Sequence, residues 1–189
     1  MATSINLDKE PAIIETEMFI DLNNKTITGG VFAESGGKVN EGTTDSYAFW
    51  VKKGGELIID GNGIVKAQNA QYSMAVWADG GKVLINGGTF INERGSDLIY
   101  ASAGAEVIIN GGEFYPSAKS GNATGTASKY TALNIKDKDR ATTSILVYGG
   151  RFHNFDPANN LSEGPNTSFV AEGYKSVEVE PNIWEVVKE

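Results

Sequence analysis

Apolar residues along this chain come in short bursts of three to five, separated by glycine, asparagine and charge. No stretch repeats them at i, i+3, i+4 and i+7 over three turns, so strands are expected rather than helices. One phrase recurs: an apolar strand, a glycine pair, one residue, then an aromatic or apolar side chain. Its copies are Thr26-Ile27-Thr28-Gly29-Gly30-Val31-Phe32, Leu57-Ile58-Ile59-Asp60-Gly61-Asn62-Gly63-Ile64, Val83-Leu84-Ile85-Asn86-Gly87-Gly88-Thr89-Phe90, Val107-Ile108-Ile109-Asn110-Gly111-Gly112-Glu113-Phe114 and Ile145-Leu146-Val147-Tyr148-Gly149-Gly150-Arg151-Phe152. The middle steps are 26 residues (Gly61 to Gly87) and 24 (Gly87 to Gly111). The outer steps are longer, and Gly36 to Ser46 and Pro116 to Lys129 carry the excess in loop-forming residues.

A second strand recurs between the glycine pairs: Tyr47-Ala48-Phe49-Trp50-Val51, Ser73-Met74-Ala75-Val76-Trp77, Asp97-Leu98-Ile99-Tyr100-Ala101 and Tyr130-Thr131-Ala132-Leu133-Asn134-Ile135. Equivalent strands then pile in parallel, about 4.8 Å apart. The expected core columns are Phe32, Ile64, Phe90, Phe114, Phe152 and Ile27, Ile59, Ile85, Ile109, Val147. Asp60, Asn86 and Asn110 form a corner column in which amides hydrogen-bond to one another, and Glu56, Lys82 and Glu106 alternate in sign as a charge ladder. In the second strand, Trp50, Val76 and Tyr100 are expected to share one column, and Val51, Trp77 and Ala101 the next.

The chain has 189 residues, long enough for one domain with a real core. The absence of cysteine removes disulfides, thiol nucleophiles and thiolate metal sites. A formal charge of -8 without a basic stripe argues against a nucleic-acid binder. No apolar run approaches the roughly 20 residues of a spanning helix, so no membrane insertion is expected. Residues 1–21 lack the basic and apolar regions of a secretory leader.

With these residues in view, the chain resembles the right-handed parallel β-helix proteins, the pectate-lyase-like superfamily in the broad sense. Ile20-Asp21-Leu22-Asn23-Asn24-Lys25-Thr26-Ile27-Thr28-Gly29-Gly30 resembles their first-coil phrase. Phe155-Asp156-Pro157, Phe169-Val170-Ala171-Glu172-Gly173-Tyr174-Lys175 and Trp184-Glu185-Val186 resemble a closing module common in gut bacteria and their tailed phages. The resemblance implies an all-β fold, a right-handed single-stranded parallel β-helix of about five coils. Residues 1–22 are expected as an N-terminal cap or attachment segment, 23–155 as the helix and 156–189 as a capping hairpin around Pro181-Asn182, with Trp184 as its plug. Short versions without a leader resemble head fibres, capsid decorations or spikes of phage virions. A virion location follows as the expectation, with an extracellular or cell-surface location as the alternative if a leader has been removed.

Family lyases need clustered acids for calcium, and family hydrolases need paired aspartates with histidine. Here the corner column has one acid, Asp60, and Asp79 aligns with Lys53 and Ala103. No catalytic residue, metal site or cofactor is therefore assigned. His153 reads as a polar surface residue at the cap, Asp137-Lys138-Asp139-Arg140 as a solvated loop, Glu93-Arg94 as a local ion pair, and Glu113 with Arg151 as a ladder pair. Ile58, Leu84, Ile108 and Leu146 form an outward apolar stripe, which points to a homo-oligomer, a trimer by the family's habit. Trp50, Tyr72, Trp77, Tyr100 and Tyr115 are the candidate glycan-binding wall. The expected function is a non-enzymatic virion protein that meets other virion proteins and host glycans. The alternatives are a bacterial surface glycan-binding protein and, behind it, a polysaccharide lyase.

Overall fold

The computed structural model describes residues 4–32, 45–70, 72–94, 97–118, 131–160, 162–164 and 166–189. Most of Gly36 to Ser46 and of Pro116 to Lys129 lies outside these residues. Strands recur in threes. The first three are β1 (Ile5–Asn6), β2 (Ala12–Ile14) and β3 (Glu17–Asp21); then come β4 (Thr26–Thr28), β5 (Asp45–Lys52) and β6 (Glu56–Asp60). They continue as β7 (Ile64–Ala67), β8 (Tyr72–Asp79), β9 (Lys82–Ile85), then β10 (Thr89–Asn92), β11 (Asp97–Ser102), β12 (Glu106–Ile109), then β13 (Glu113–Tyr115), β14 (Thr131–Ile135), β15 (Ser144–Val147). The chain closes with β16 (Arg151–His153), β17 (Tyr174–Glu180) and β18 (Ile183–Lys188).

The protein is all-β and built of parallel sheets. Each strand from β1 to β13 pairs in parallel with the strand three places later. The first sheet runs β1-β4-β7-β10-β13-β16-β18-β17, the second β2-β5-β8-β11-β14 and the third β3-β6-β9-β12-β15. The last two strands of the first sheet are antiparallel, a hairpin turning at Asn182, which has a φ of 61°.

Side chains alternate between core and surface along the strands. In β12, Val107 and Ile109 are buried while Glu106 is exposed and Ile108 half-buried. The register superposes like on like. Phe90, Phe114 and Phe152 form one fully buried column, with centroids 5.1 and 4.6 Å apart and nearly parallel rings. Ile20, Ile59, Ile85, Ile109 and Val147 form another. At the corner, Asn110 Nδ2 donates to Asn86 Oδ1 at 2.9 Å. The charge ladder is in register, with Lys82 Nζ 3.8 Å from Glu106 Oε2; both are exposed, so the pair adds little, about 0.2–1 kcal/mol.

Three expectations about alignment are corrected. Phe32 does not join the phenylalanine column, and Ile64 is replaced there by Val65; Ile27 belongs to that column and not to the one with Ile59. The cause is the first corner. It runs Asp21 to Lys25 without a glycine pair, and Asn23 and Asn24 adopt left-handed φ values of 41° and 58°, which asparagine tolerates better than most residues. Gly29-Gly30 instead lies where a Cβ would strike the Tyr47 and Leu7 carbonyl oxygens.

In the second sheet β8 is shifted by one residue relative to expectation, while β5 and β11 keep their expected alignment. Trp50, Trp77 and Tyr100 share a column, while Val76 pairs with Phe49 and Ile99. Asp79 lies between Lys52 and Ser102, not Lys53 and Ala103. The connection from β8 to β9 is one residue shorter than those after β5 and β11, so counting back from the corner glycines slips one position and swaps faces.

The ends differ as well. Residues 5–21, expected as a cap or attachment segment, supply the first strand of all three sheets. At the far end the buried groups are Phe155, Phe169, Ala171 and Val186, while Trp184 is only half-buried. Phe169 and Val170 bridge to Val147 and close that end of the third sheet.

Truncating Phe90 removes a fully buried ring stacked on Phe114. Phe90→Ala should therefore cost about 3–5 kcal/mol. A denaturant midpoint equal to that of the wild type would show that the column is not structural.

Candidate functional site

The second sheet contains a kink. Ladder pairing passes from Tyr47–Met74 directly to Phe49–Val76, and from Asp97–Thr131 directly to Ile99–Leu133. At the skipped positions two consecutive residues turn inward: Ala48 with Phe49, Ala75 with Val76, Leu98 with Ile99, and Ala132 with Leu133, all buried. Alternation is broken there, so side chains on either side of the kink converge outside the sheet. They line a cleft of about 290 Å³ formed by Tyr47, Tyr72, Met74, Trp77, Asp97, Tyr100 and Lys136.

Three of the five expected wall residues meet in this cleft: Tyr72, Trp77 and Tyr100. Tyr72 is 48% exposed, and Trp77 and Tyr100 are half-buried. Trp50 stands behind Trp77 in the same column. Their rings are 4.9 Å apart and 3° from parallel, so each covers one face of the other. The Lys52 ammonium sits 4.4 Å from the centroid of the Trp50 ring. The Tyr47 ring meets Trp77 edge-on at 5.4 Å, and Tyr100 lies tilted at 6.4 Å. Much of the indole face area is therefore used inside the column. Trp50 does not join the cleft, and Tyr115 belongs to the first sheet.

Polar groups hold these rings in place. Trp77 Nε1 donates to Ser102 Oγ at 2.9 Å, Ser102 Oγ donates to Asp79 Oδ1 at 2.8 Å, and Trp50 Nε1 donates to Asp79 Oδ2 at 3.3 Å. Tyr47 donates its hydroxyl to Asp45 Oδ2 at 2.7 Å. Burial pushes the Tyr100 phenol well above its ordinary value, and the Asp97, Asp139, Asp137 and Asp79 carboxylates push the same way. Tyr100 thus stays a neutral hydrogen-bonding group at any ordinary pH. The cleft combines aromatic surface, a thioether, a carboxylate, an ammonium and phenols, which suits a ligand with an apolar face and hydroxyl edges.

Met74, Asp97 and Lys136 are not among the candidates that the sequence offers, and Tyr47 is offered there only as a neighbour of the aromatic wall. Their signal was the doubled inward position, a pair of small or apolar residues repeated at Ala48-Phe49, Ala75-Val76 and Leu98-Ile99.

A second polar cluster lies on the outer face of the first sheet. His153 is not a lone surface residue. Its Nε2 lies 2.8 Å from Glu113 Oε1, and its ring stacks on Tyr115 at 3.9 Å. Tyr115 donates its hydroxyl to the same Glu113 oxygen at 2.7 Å. Arg151 is 3.7 Å from Glu113, 2.7 Å from Glu185, and also bonded to Glu180. This arginine binds the terminal hairpin to the stack. Burial alone would raise the Glu113 carboxyl; hydrogen bonds from Tyr115 and His153, and the charges of His153 and Arg151, outweigh it and hold the group below its ordinary value. Burial and the bond to Glu113 push the Tyr115 phenol up to about 12.

The segment Asp137 to Arg140 also has a structural role. Arg140 Nε lies 2.7 Å from Glu163 Oε2, and its Nη2 lies 2.9 Å from Asp137 Oδ1. The Glu163 side chain is 7% exposed and accepts the Ile135 amide hydrogen; its burial pushes the carboxyl up. Asp139 accepts the Ala103 amide hydrogen at 2.9 Å. Glu93, expected to pair with Arg94, instead bonds Lys66 in the preceding layer, which lowers its carboxyl. Among the described residues there is no group of three or more His, Asp or Glu placed to hold a metal ion.

No family model, no curated protein and no solved structure matches this chain. Glu113 and Tyr115 of the first sheet act at opposite ends of the pH scale. Glu113, held low, contributes stability that is present above the ordinary carboxylate value and lost as pH falls through its folded value. Tyr115, held high, contributes stability that is present below about pH 10 and lost as pH rises to about 12. Thermal melts of Tyr115→Phe should show a smaller loss across that alkaline window than the wild type. Identical slopes would mean that the phenol does not carry this linkage.

Proposed function

We propose that this chain is a right-handed parallel β-helix serving as a rigid, non-enzymatic scaffold of a tailed-phage virion, as a fibre, spike or capsid decoration. We assign the kink cleft as its contact for host-surface saccharides. The pairing of each strand from β1 to β13 with the one three places later supports the β-helix: a chain that winds through three sheets in turn and returns one strand spacing higher has this order. The virion assignment rests on the resemblance of the coil phrase and the closing module.

One observation carries the saccharide reading. Tyr72, Trp77 and Tyr100 converge with Asp97 and Lys136 around one small cleft. A pyranose offers a C–H face to aromatic surface and hydroxyl edges to charged and phenolic groups. Binding to panels of bacterial surface polysaccharides tests it. Tyr100→Ala and Trp77→Ala should weaken binding by about tenfold or more, and Tyr115→Ala, on another sheet, should leave it unchanged. Equal binding by all three variants would remove the cleft from the function.

The outward apolar stripe supports a homo-oligomer. Ile58, Leu84, Ile108 and Leu146 are in register, and Phe19, 61% exposed, extends the row to the first layer. A closed trimer would bring three such rows to one axis. Leu84→Asp with Ile108→Asp should reduce the mass in light scattering to that of a monomer while the strand signal in circular dichroism persists. An unchanged mass would rule the stripe out as the interface.

A further inference from the structure

The two ends of the stack are finished differently. The far end is covered by Phe155, Phe169 and the terminal hairpin, whereas β1, β2 and β3 are the outermost strands of their sheets. Four of the most exposed large apolar residues lie in this first layer: Ile5 at 52%, Ile13 at 45%, Met18 at 41% and Phe19 at 61%. Met18 is in register with Leu57, which is fully buried one layer further in. It therefore occupies a core column that ends in solvent.

Charge identifies what fits this edge. In the later layers of the third sheet the outer row alternates in sign, from Glu56 to Lys82 to Glu106. In the first two layers it does not. Glu17 lies directly over Glu56, and Asp21 directly over Asp60. Like charges opposite one another in a ladder are destabilising, and here they flank the exposed Phe19 on both sides. Strand β3 thus presents acid, apolar and acid on its outer face at Glu17, Phe19 and Asp21, with Met18 and Ile20 on its inner face.

We infer that β3 is an open edge for strand addition by a different protein, through a segment reading basic-apolar-apolar-apolar-basic. Such a strand would continue the third sheet, set its cations beside Glu17 and Asp21, and cover Met18 and Phe19. A second copy of this chain is a poor occupant. Residues 5–22 carry five carboxylates against one lysine, so head-to-head contact would oppose acid to acid. The terminal hairpin is acidic too, with Glu172, Glu178, Glu180, Glu185 and Glu189 against Lys175 and Lys188, so head-to-tail contact meets the same repulsion. This inference is independent of the saccharide cleft; it shares Phe19 with the outward row, but the surface it assigns is the backbone edge of β3 and not that row.

The test uses the 189-residue chain and a capped peptide, acetyl-Thr-Lys-Val-Val-Val-Lys-Thr-amide, with a control carrying Glu in place of both Lys. The lysine peptide should slow amide exchange at residues 17–21 and bind about tenfold or more tighter than the control, with the difference shrinking at high salt. Glu17→Lys with Asp21→Lys should reverse the preference. Glu17→Lys alone, which spares the Asp21 turn, should reduce it and keeps the test decisive if the double variant does not fold. Equal binding of both peptides, absence of protection at residues 17–21, or self-association of the chain that protects these amides would each overturn the inference.

Discussion

Parallel pairing in register makes every side chain the neighbour of its own counterpart one strand spacing away, and that constraint governs the structure. A residue type survives in a column only if it tolerates its own kind at about 4.8 Å. Phenylalanine does so by stacking, as Phe90, Phe114 and Phe152 show. Asparagine does so by donating one amide to the next, as Asn110 does to Asn86. Charge does so by alternating, as in Glu56, Lys82 and Glu106. Where none of these solutions is used, at Glu17 over Glu56 and Asp21 over Asp60, the chain reaches an edge.

The same constraint decides what could be read without coordinates. The repeat, the parallel stacking, the outward stripe and the ladder partners of Lys82 and Arg151 all follow from spacing between glycine corners, and they were legible. Legibility failed where spacing varies by one. The corner at Asn23-Asn24 does the work of a glycine pair with different residues, so spacing counted from Gly29-Gly30 misaligns Phe32 and Ile27. The shorter turn after Asp79 moves Trp77 by one position relative to that count. In a strand one position is the difference between inside and outside, so a single short turn was enough to separate Trp50 from Trp77.

The candidate site was half legible for a related reason. Composition marked Tyr72, Trp77 and Tyr100, but the kink that gathers them depends on two consecutive inward residues, which an alternating pattern does not anticipate. The polar clusters misled in the opposite sense. Arg140 and His153 were separated in sequence from Glu163 and Glu113, and only the stacking of distant segments brings each pair together. Both pairs then act as clasps. Arg140 ties the loop after β14 to the closing segment, and Arg151 with His153 ties β16 to Glu113, while Arg151 also reaches the hairpin.

A stack that satisfies its side chains with their own counterparts leaves few unsatisfied polar groups along its length, although the apolar row from Phe19 to Leu146 stays at the surface. The Trp50–Trp77 pair illustrates this: two large aromatic faces that would bind a planar ligand are turned on each other, and their indole N–H groups are bonded to Asp79 and Ser102. Such a column stiffens the sheet and is correspondingly inert. Free chemistry can persist only where the repeat is interrupted. In this molecule there are two such places among the described residues, the kink of the second sheet and the first-layer edge. The kink exposes aromatic rings between layers, and the edge exposes backbone and unmatched charge. The sites proposed for a saccharide and for an added strand both lie at departures from the repeat, because regularity itself uses up the polar groups and ring faces that such contacts require.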